Sequence, residues 1–331
     1  MPVAPRANPE AFFPPAQWRA LSERSRWRGL WLVAHCWGVI GITMAVGATW
    51  PVLIPLCVMV IGTRQLGLFI LMHDAAHALL HPNRKVNDWV GRWLCSYALD
   101  VYRPYHLKHH RFVQQPEDPD LVLSKPFPIT RASLKRKLWR DLSGQTFFKQ
   151  RVLPSVAELK RWVLSWRSDS PARHDNADAR VNAQGHLKEQ EVAPSSLRFW
   201  VGNAIGMAAF TAAGWGWVWW AMWALPMVCW LPLVTRIRNI AEHAMVGAPQ
   251  PDPLRQARTT HANWLERAFL APYWVNFHLE HHLFTSLPCW QLPKAHALLQ
   301  ANGTAERMEV QPGYRRVLVL ATGGGAAASH T

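Results

Sequence analysis

The sequence predicts an all-α integral membrane protein, with four transmembrane helices in two hairpins and a cytosolic helical cap. Two tracts, at residues 29–63 and 199–235, contain no Asp, Glu, Lys or Arg. As a single helix, either tract would be roughly 50 Å long, whereas the hydrocarbon core of a bilayer is roughly 30 Å thick. We therefore expect each tract to fold as two helices joined by a tight turn.

Glycine and proline mark the turns. Residues 47–51 read G-A-T-W-P and residues 214–216 read G-W-G, and both residue types interrupt helices. The alternative, buried helices of a large soluble protein, is disfavoured by four successive uncharged segments. The transmembrane helices are predicted at about residues 29–48, 50–72, 197–213 and 217–236, the third being short for a full crossing.

The positions of the basic residues predict how the chain is oriented in the membrane. The N-terminal stretch carries Arg6, Arg19, Arg24, Arg26 and Arg28, whereas both predicted turns are uncharged. Under the positive-inside rule, both termini and the central region then lie in the cytosol. The net charge of +15 suits contact with anionic membrane lipids, and also an acidic redox partner. No nucleic-acid partner is expected.

The predicted organisation is a cytosolic N-terminal segment (1–28), a membrane and catalytic domain (29–300) and a C-terminal segment (301–331) whose tail, from Ala321 onward, is disordered. Basic and apolar residues alternate over 131–167, as is typical of segments on a membrane surface. The polar stretch at about 168–196 is predicted to be a flexible loop.

Histidine spacing carries the functional prediction. Box one is H-D-A-A-H at 73–77, box two is H-L-K-H-H at 106–110 and box three is H-L-E-H-H at 278–282, while N-I-A-E-H occupies 239–243 at the end of the fourth helix. Positions i, i+3 and i+4 share one side of a helix, so each cluster can direct two or three imidazoles at one point. One ion takes about four to six ligands, so nine histidines call for two ions. The hairpins bring all four clusters to one face, and the cap is predicted to hold a di-metal site.

These boxes, separated by hairpin pairs of membrane helices, resemble those of the membrane fatty acid desaturase family over roughly residues 30–300. The chain resembles the bacterial acyl-lipid branch of this family more than the acyl-CoA Δ9 branch, because box one begins His-Asp and has three intervening residues. The resemblance implies two iron ions, O2 as co-substrate, a double bond introduced into an acyl-lipid or acyl-thioester, and a multi-pass protein of the bacterial inner membrane. It also implies that Asn239 approaches one iron through a water. The implied metal ligands are His73, His77, His106, His109, His110, His243, His278, His281 and His282.

Carboxylates near the boxes are candidates for orienting the imidazoles by accepting their second N–H. Each is equally compatible with a solvated surface charge. The candidates are Asp74, Asp118, Asp120, Glu242 and Glu280. No H-P-G-G haem motif is present, so electrons are expected from a separate carrier such as ferredoxin or a flavoprotein-linked system.

Two other functions remain open at the sequence level. Hydroxylases and ketolases of lipids or carotenoids use similar histidine boxes, and only the product separates them from desaturases. A metal-binding membrane transporter is the rival from another class. Transporters place ionisable ligands near the middle of the membrane, whereas these boxes lie at helix ends.

Overall fold

The structure is a computed structural model that describes residues 7–165, 196–246 and 252–324. These ranges are mostly helical, with one short parallel pair of strands, β1 (Thr259–Thr260) and β2 (Val310–Gln311). The loop expected at 168–196 lies outside the described residues, except Ser196, where a helix begins. Of the tail expected to be disordered, residues 325–331 also lie outside them.

The first hairpin forms where the uncharged tract predicted it. A short helix α1 (Pro15–Ser22) precedes α2 (Arg28–Thr49), and the chain turns at Trp50. A 3-10 turn (Pro51–Leu53) then leads into α3 (Ile54–Ala76).

The second hairpin turns at Gly214, whose φ of +78° suits glycine because it has no Cβ. Helix α10 (Ser196–Ala212) precedes the turn. A continuous helix, Gly216–His243, follows it and contains two π-helical stretches. Its parts are α11 (Gly216–Trp219), the π stretches Trp220–Ala224 and Pro226–Trp230, and α12 (Leu231–His243).

Three of the described helices are long and apolar enough to cross a membrane, namely Arg28–Thr49, Pro51–Ala76 and Gly216–His243. Helix α10 has 17 residues, which gives it a length of roughly 25 Å, less than the hydrocarbon thickness. The fourth crossing therefore stays a prediction.

Two helices extend beyond the predicted membrane spans. The second and fourth spans were predicted at about residues 50–72 and 217–236, and these helices continue to Ala76 and His243. The cause is packing: the last turns of both helices are buried against the cap, so they do not need a lipid environment to remain helical. This extension carries box one and residues 239–243 beyond the uncharged tracts.

The short helices that follow each of the two hairpins, which we call the cap, come from residues 84–165 and 253–320. The central part contains α4 (Arg84–Val90), the π stretch Gly91–Cys95, α5 (Leu99–Phe112), α6 (Leu121–Ser124), α7 (Arg131–Leu142), α8 (Gln145–Phe147), the π stretch Phe148–Val152 and α9 (Leu153–Ser165). The later part contains Pro253–Arg255, α13 (Trp264–Phe269), Pro272–Trp274, α14 (His278–Leu283), Cys289–Gln291, α15 (Leu292–Ala301), Thr304–Arg307 and α16 (Tyr314–Leu320).

Side-chain caps set where several of these helices begin. The Asn83 side chain accepts the backbone N–H of Lys85 at the start of α4, and Thr130 accepts that of Ser133 at the start of α7. Asn263 and Glu266 form a reciprocal capping box on α13. Each cap satisfies amide groups that the first helical turn leaves without partners.

Helix α3 lies at the centre of the fold. It contacts α2, α5, α12 and α13, and from Leu66 to Ala76 it is buried almost without interruption. Large apolar side chains are instead exposed on the segment predicted to lie on a membrane surface, among them Trp139, Phe148 and Leu159. Exposed apolar area on this scale suits contact with lipid.

The C-terminal segment packs onto α12 through α16. Tyr314 and Val317 are buried, and the carbonyl of Ala321 accepts the backbone N–H of Ile129. Disorder was expected from Ala321 onward; Ala321 is buried, and residues 321–324 form a turn.

Candidate metal centre

The nine histidines from the four sequence clusters converge into two groups. Within each group, one nitrogen from every ring lies within 4.8 Å of the corresponding nitrogens of the others. The five-histidine group contains His73, His77, His106, His110 and His281, and the four-histidine group contains His109, His243, His278 and His282.

Boxes two and three each divide between the groups. Each residue turns an α-helix by about 100°, so side chains four apart share a side while adjacent ones diverge. On α5, His106 and His110 enter the five-histidine group while His109 enters the other. On α14, His278 and His282 enter the four-histidine group while His281 enters the other. Boxes two and three therefore each direct two rings at one group and the third ring at the other.

The spacing of the ring nitrogens matches a metal coordination shell. In the five-histidine group, the Nε2 atoms of His106 and His77, of His110 and His106, and of His281 and His110 are 2.9 Å apart. Imidazole nitrogens bind metals at about 2.0–2.1 Å, so neighbouring ligands at right angles would lie about 3 Å apart. The His73 Nε2 atom is buried and finds no hydrogen-bond partner within the described residues.

The four-histidine group has the same spacing. The Nε2 atom of His278 lies 2.8 Å from that of His243 and 3.0 Å from that of His282, and the His282 and His109 Nε2 atoms are 3.3 Å apart. A neutral imidazole carries one N–H, so rings whose nitrogens all face one point cannot satisfy one another by hydrogen bonds. The donor set of each group fits a metal ion.

Burial keeps most of these rings in the form that can bind a metal. Desolvation, followed by Arg103, lowers the pKa of His77 to about 4. Desolvation and neighbouring histidines likewise hold the pKa values of His106 and His281 well below the usual range for histidine. At neutral pH these rings are uncharged, and neutral imidazole is the ligating form.

His109 is the exception because it faces carboxylates. Desolvation acts to lower its pKa, but Asp120 and Asp118 outweigh this effect and raise it. The Asp118 Oδ1 atom is 2.8 Å from His109 Nδ1, and both side chains are buried. Asp118 thereby holds the Nδ1–H tautomer of His109 and leaves the Nε2 lone pair free for a metal.

Three further carboxylates lie near the groups at longer range. Asp120 is 3.6 Å from His109 Nδ1 and accepts a hydrogen bond from the Tyr105 hydroxyl. Glu242 is 3.6 Å from His278 Nε2 and pairs with Arg238. Asp74 is 3.6 Å from His73 Nδ1, while its other oxygen accepts the backbone N–H of Cys289.

Glu280 points elsewhere. Its carboxylate accepts hydrogen bonds from the Thr259 hydroxyl and from Nδ1 of His296. Glu280 therefore anchors α14 to β1 and α15 on the face opposite the histidines. His296 is itself buried, with 4% of its surface exposed. Its burial comes from tertiary packing of α15, which one sequence does not reveal.

Asn239 lies on α12, one turn before His243, and is half-buried. Two supporting residues carry no sequence signal. Arg103 donates to the carbonyls of Ala75 and Ala76 at the end of α3, and Gln114 donates to the carbonyl of His243.

A cavity of about 660 Å³ opens beside both groups. Its lining includes His77 and His110 of the five-histidine group and His282 of the other. Its other walls include the apolar side chains of Trp18, Leu107, Phe112 and Phe284. The exposed cations Lys108 and Arg111 also line it.

Comparisons with known proteins identify relatives of this chain. The family model described as fatty acid desaturase matches residues 48–313. The chain is similar to a dihydrorhizobitoxine desaturase of Bradyrhizobium elkanii, being 27% identical over 271 residues that cover 80% of this chain and 70% of that protein. An sn-1 oleoyl-lipid 12-desaturase of Picosynechococcus sp. is 24% identical, with coverage of 82% and 74%. A chloroplastic omega-6 fatty acid desaturase of Brassica napus is 22% identical, and this chain spans 57% of its length.

Proposed function

Because the chain belongs to the fatty acid desaturase family and is therefore an oxidoreductase, we propose that it introduces a double bond into a lipid acyl chain. The reaction would take place at a di-iron centre, with O2 as co-substrate. The observation that carries the proposal is the partition of nine clustered histidines into two groups whose nitrogen spacing fits two metal ions. The names of similar proteins, which include lipid desaturases, support an acyl-lipid substrate.

The proposed ligands follow from the two groups. The five-histidine group would hold one iron and the four-histidine group the other, with Asn239 contributing through a water beside His243. When bound, the iron pair would supply the activation of O2 that breaking an unactivated C–H bond requires, because no side chain provides it.

The chain's own residues supply position and environment. Buried rings such as His106 and His281 remain neutral, and Asp118 fixes the tautomer of His109. The cavity beside His110 and His282 offers apolar walls to an acyl chain and excludes part of the bulk water. An acyl chain in this cavity would lie next to both proposed metal positions.

Electrons would come from a separate carrier, such as ferredoxin or a flavoprotein-linked system. Two observations support an acidic carrier: the net charge of +15 and the exposed Lys108 and Arg111 beside the cavity. Complementary charge accelerates such encounters. We further propose a multi-pass arrangement in a bacterial inner membrane, with the centre and both termini on the cytosolic side, as the arginine distribution suggests.

The proposal is tested by expressing the chain in a bacterial host and profiling the host's lipids by mass spectrometry against an empty-vector control. We expect new acyl chains that have lost two hydrogens, and close to two iron ions per purified chain. Acyl chains that have gained oxygen would instead identify a hydroxylase or ketolase. Zinc uptake without O2 consumption would favour a transporter.

A ligand variant and a matched control make this test specific. His281→Ala should abolish product formation while the protein still inserts into the membrane, because it removes one nitrogen from the five-histidine group. His81→Ala changes a nearby histidine whose ring instead contacts the backbone of Asn83, and it should leave turnover intact. Full turnover by His281→Ala would contradict the ligand assignment.

A further inference from the structure

We propose that Gln114 is a positioning residue that joins His109 and His243, two ligands of the four-histidine group that come from elements far apart in the chain. The inference rests on the proposed function, because it concerns the metal affinity of that group. It assigns a role to a residue outside the histidine boxes and outside the carboxylates near them.

The first observation concerns the end of α12. The last carbonyls of a helix have no partner within that helix and must be satisfied from outside. The His243 carbonyl accepts a hydrogen bond from the Gln114 side-chain amide at 3.1 Å. The Glu242 carbonyl accepts the backbone N–H of Arg258 at 2.9 Å. Gln114 thus holds the terminal residue of α12, which is itself a proposed ligand.

The second observation concerns box two. The backbone N–H of Gln114 donates to Asp118 Oδ2 at 2.8 Å, while the other oxygen of Asp118 is 2.8 Å from His109 Nδ1. Gln114 is therefore one hydrogen bond from the main chain of His243 and two from the ring of His109. The His109 Nε2 atom lies 3.3 Å from that of His282, and the His243 Nε2 atom lies 2.8 Å from that of His278, so a shift of either ligand would change the spacing of the group.

The backbone of Gln114 supports the same conclusion. Its φ is +61°, in the left-handed region that residues other than glycine rarely adopt. Such conformations persist where surrounding contacts specify them, and they are enriched at functional sites. The contacts here are the two hydrogen bonds of Gln114, one from its main chain and one from its side chain.

The five-histidine group has a different support. Arg103 and Asn87 hold the carbonyl of Ala75 at the end of α3, which carries His73 and His77. Loss of the Gln114 side chain should therefore weaken the four-histidine group more than the five-histidine group.

The test compares Gln114→Ala with Gln115→Ala. Gln115 is the adjacent residue of the same type, and its backbone N–H donates to Phe112 without involving either histidine. The purified full chain, stripped of metal by a chelator, is titrated with Fe2+ without O2, and the bound iron is counted per chain. Melting temperatures of the metal-free proteins are measured in parallel.

We expect Gln114→Ala to keep one tight iron and to bind the second about 10- to 100-fold more weakly, the usual effect of losing an outer-shell partner. Gln115→Ala should bind two irons as the wild type does, and the three metal-free proteins should melt alike. Gln114→Asn tolerates the same backbone but is one methylene shorter, so it should also weaken the second iron.

Two results would overturn this inference alone. One is wild-type affinity for both irons in Gln114→Ala. The other is an equal weakening of both irons together with a lower melting temperature of the metal-free protein, which would show a general structural role. A wild-type chain that binds no iron would overturn the proposed function and this inference with it.

Discussion

The Asp118 carboxylate links the His109 ring to the backbone that follows box two. One of its oxygens faces His109 Nδ1 and also accepts the backbone N–H of Asp120, and the other accepts that of Gln114. All three contacts are 2.8 Å long. Its place after box two made it a candidate in the sequence.

We expect Asp118→Asn to lower metal affinity at the four-histidine group by about 10- to 100-fold, because an amide cannot hold the His109 tautomer as a carboxylate does. Asp120→Asn should have a smaller effect, since Asp120 lies 3.6 Å from the ring. Iron content after dialysis against a graded chelator measures both. Equal losses in the two variants would contradict the special role of Asp118.

A second prediction at the residue scale concerns pH. Burial acts to raise the pKa of Asp88, but hydrogen bonds from Arg103, Asn87 and Arg84 outweigh it and lower the pKa from 3.8 to about 2. A carboxylate whose pKa is lower in the folded state stabilises the fold above its unfolded pKa, and this contribution disappears as the pH falls through the folded value. Because Asp88 is partly exposed, solvent screening should limit its contribution to the free energy of unfolding to roughly 1–2 kcal/mol above about pH 4, with nothing below about pH 2.

The measurement is the free energy of unfolding of metal-free wild type and Asp88→Asn from pH 5 to pH 2. The difference between them should be constant down to about pH 4 and should close toward pH 2. Arg84→Ala is the control, because that exposed i,i+4 pair should contribute less than about 1 kcal/mol. A difference that stays constant to pH 2 would exclude Asp88 as the titrating group.

At the scale of elements, the close approach of α3 to the last membrane helix decides whether the histidines meet. Gly62 on α3 faces Trp230, and a Cβ at position 62 would lie 2.7 Å from the Trp230 Cβ. The Trp230 indole N–H donates to the Thr63 hydroxyl at the same level. Only a glycine allows this approach, which aligns the ends of both helices beneath the cap.

Gly62→Ala should therefore lower the free energy of unfolding by about 1–3 kcal/mol, as overpacking does. Gly38→Ala is the matched control on α2, where an added Cβ meets nothing within 4 Å. It should be neutral or stabilising by up to about 1 kcal/mol, because alanine favours a helix over glycine. Unfolding in detergent compares the two, and an unperturbed Gly62→Ala would argue against tight packing at this contact.

At the scale of the whole molecule, the orientation in the membrane is tested by reporter fusions. We expect green fluorescent protein fused to the C-terminus to fluoresce, because that end is predicted to lie in the cytosol. Alkaline phosphatase inserted at the turn around Gly214 should be active, because it would then reach the periplasm. The opposite pattern would reverse the orientation that the arginines predict.

Some elements of the fold could be predicted from the sequence and others could not. Hairpin turns were predictable because glycine, proline and the absence of charge act locally. The burial of the last turns, up to Ala76 and His243, was not predictable, because it depends on tertiary contacts with the cap. The fourth crossing by α10 stays a prediction, since its 17 residues are short for a bilayer.

The sequence by itself determined that helical hairpins and nine regularly spaced histidines occur together, because hydropathy and helical periodicity are local properties of the chain. Only the tertiary structure decided that boxes two and three divide, so that His109 and His110 serve different groups. It also decided that Asp118 faces a ring nitrogen while Glu280 turns to His296. The physical reason is that spacing sets the side of a helix on which a residue lies, whereas its partner depends on how separate helices pack.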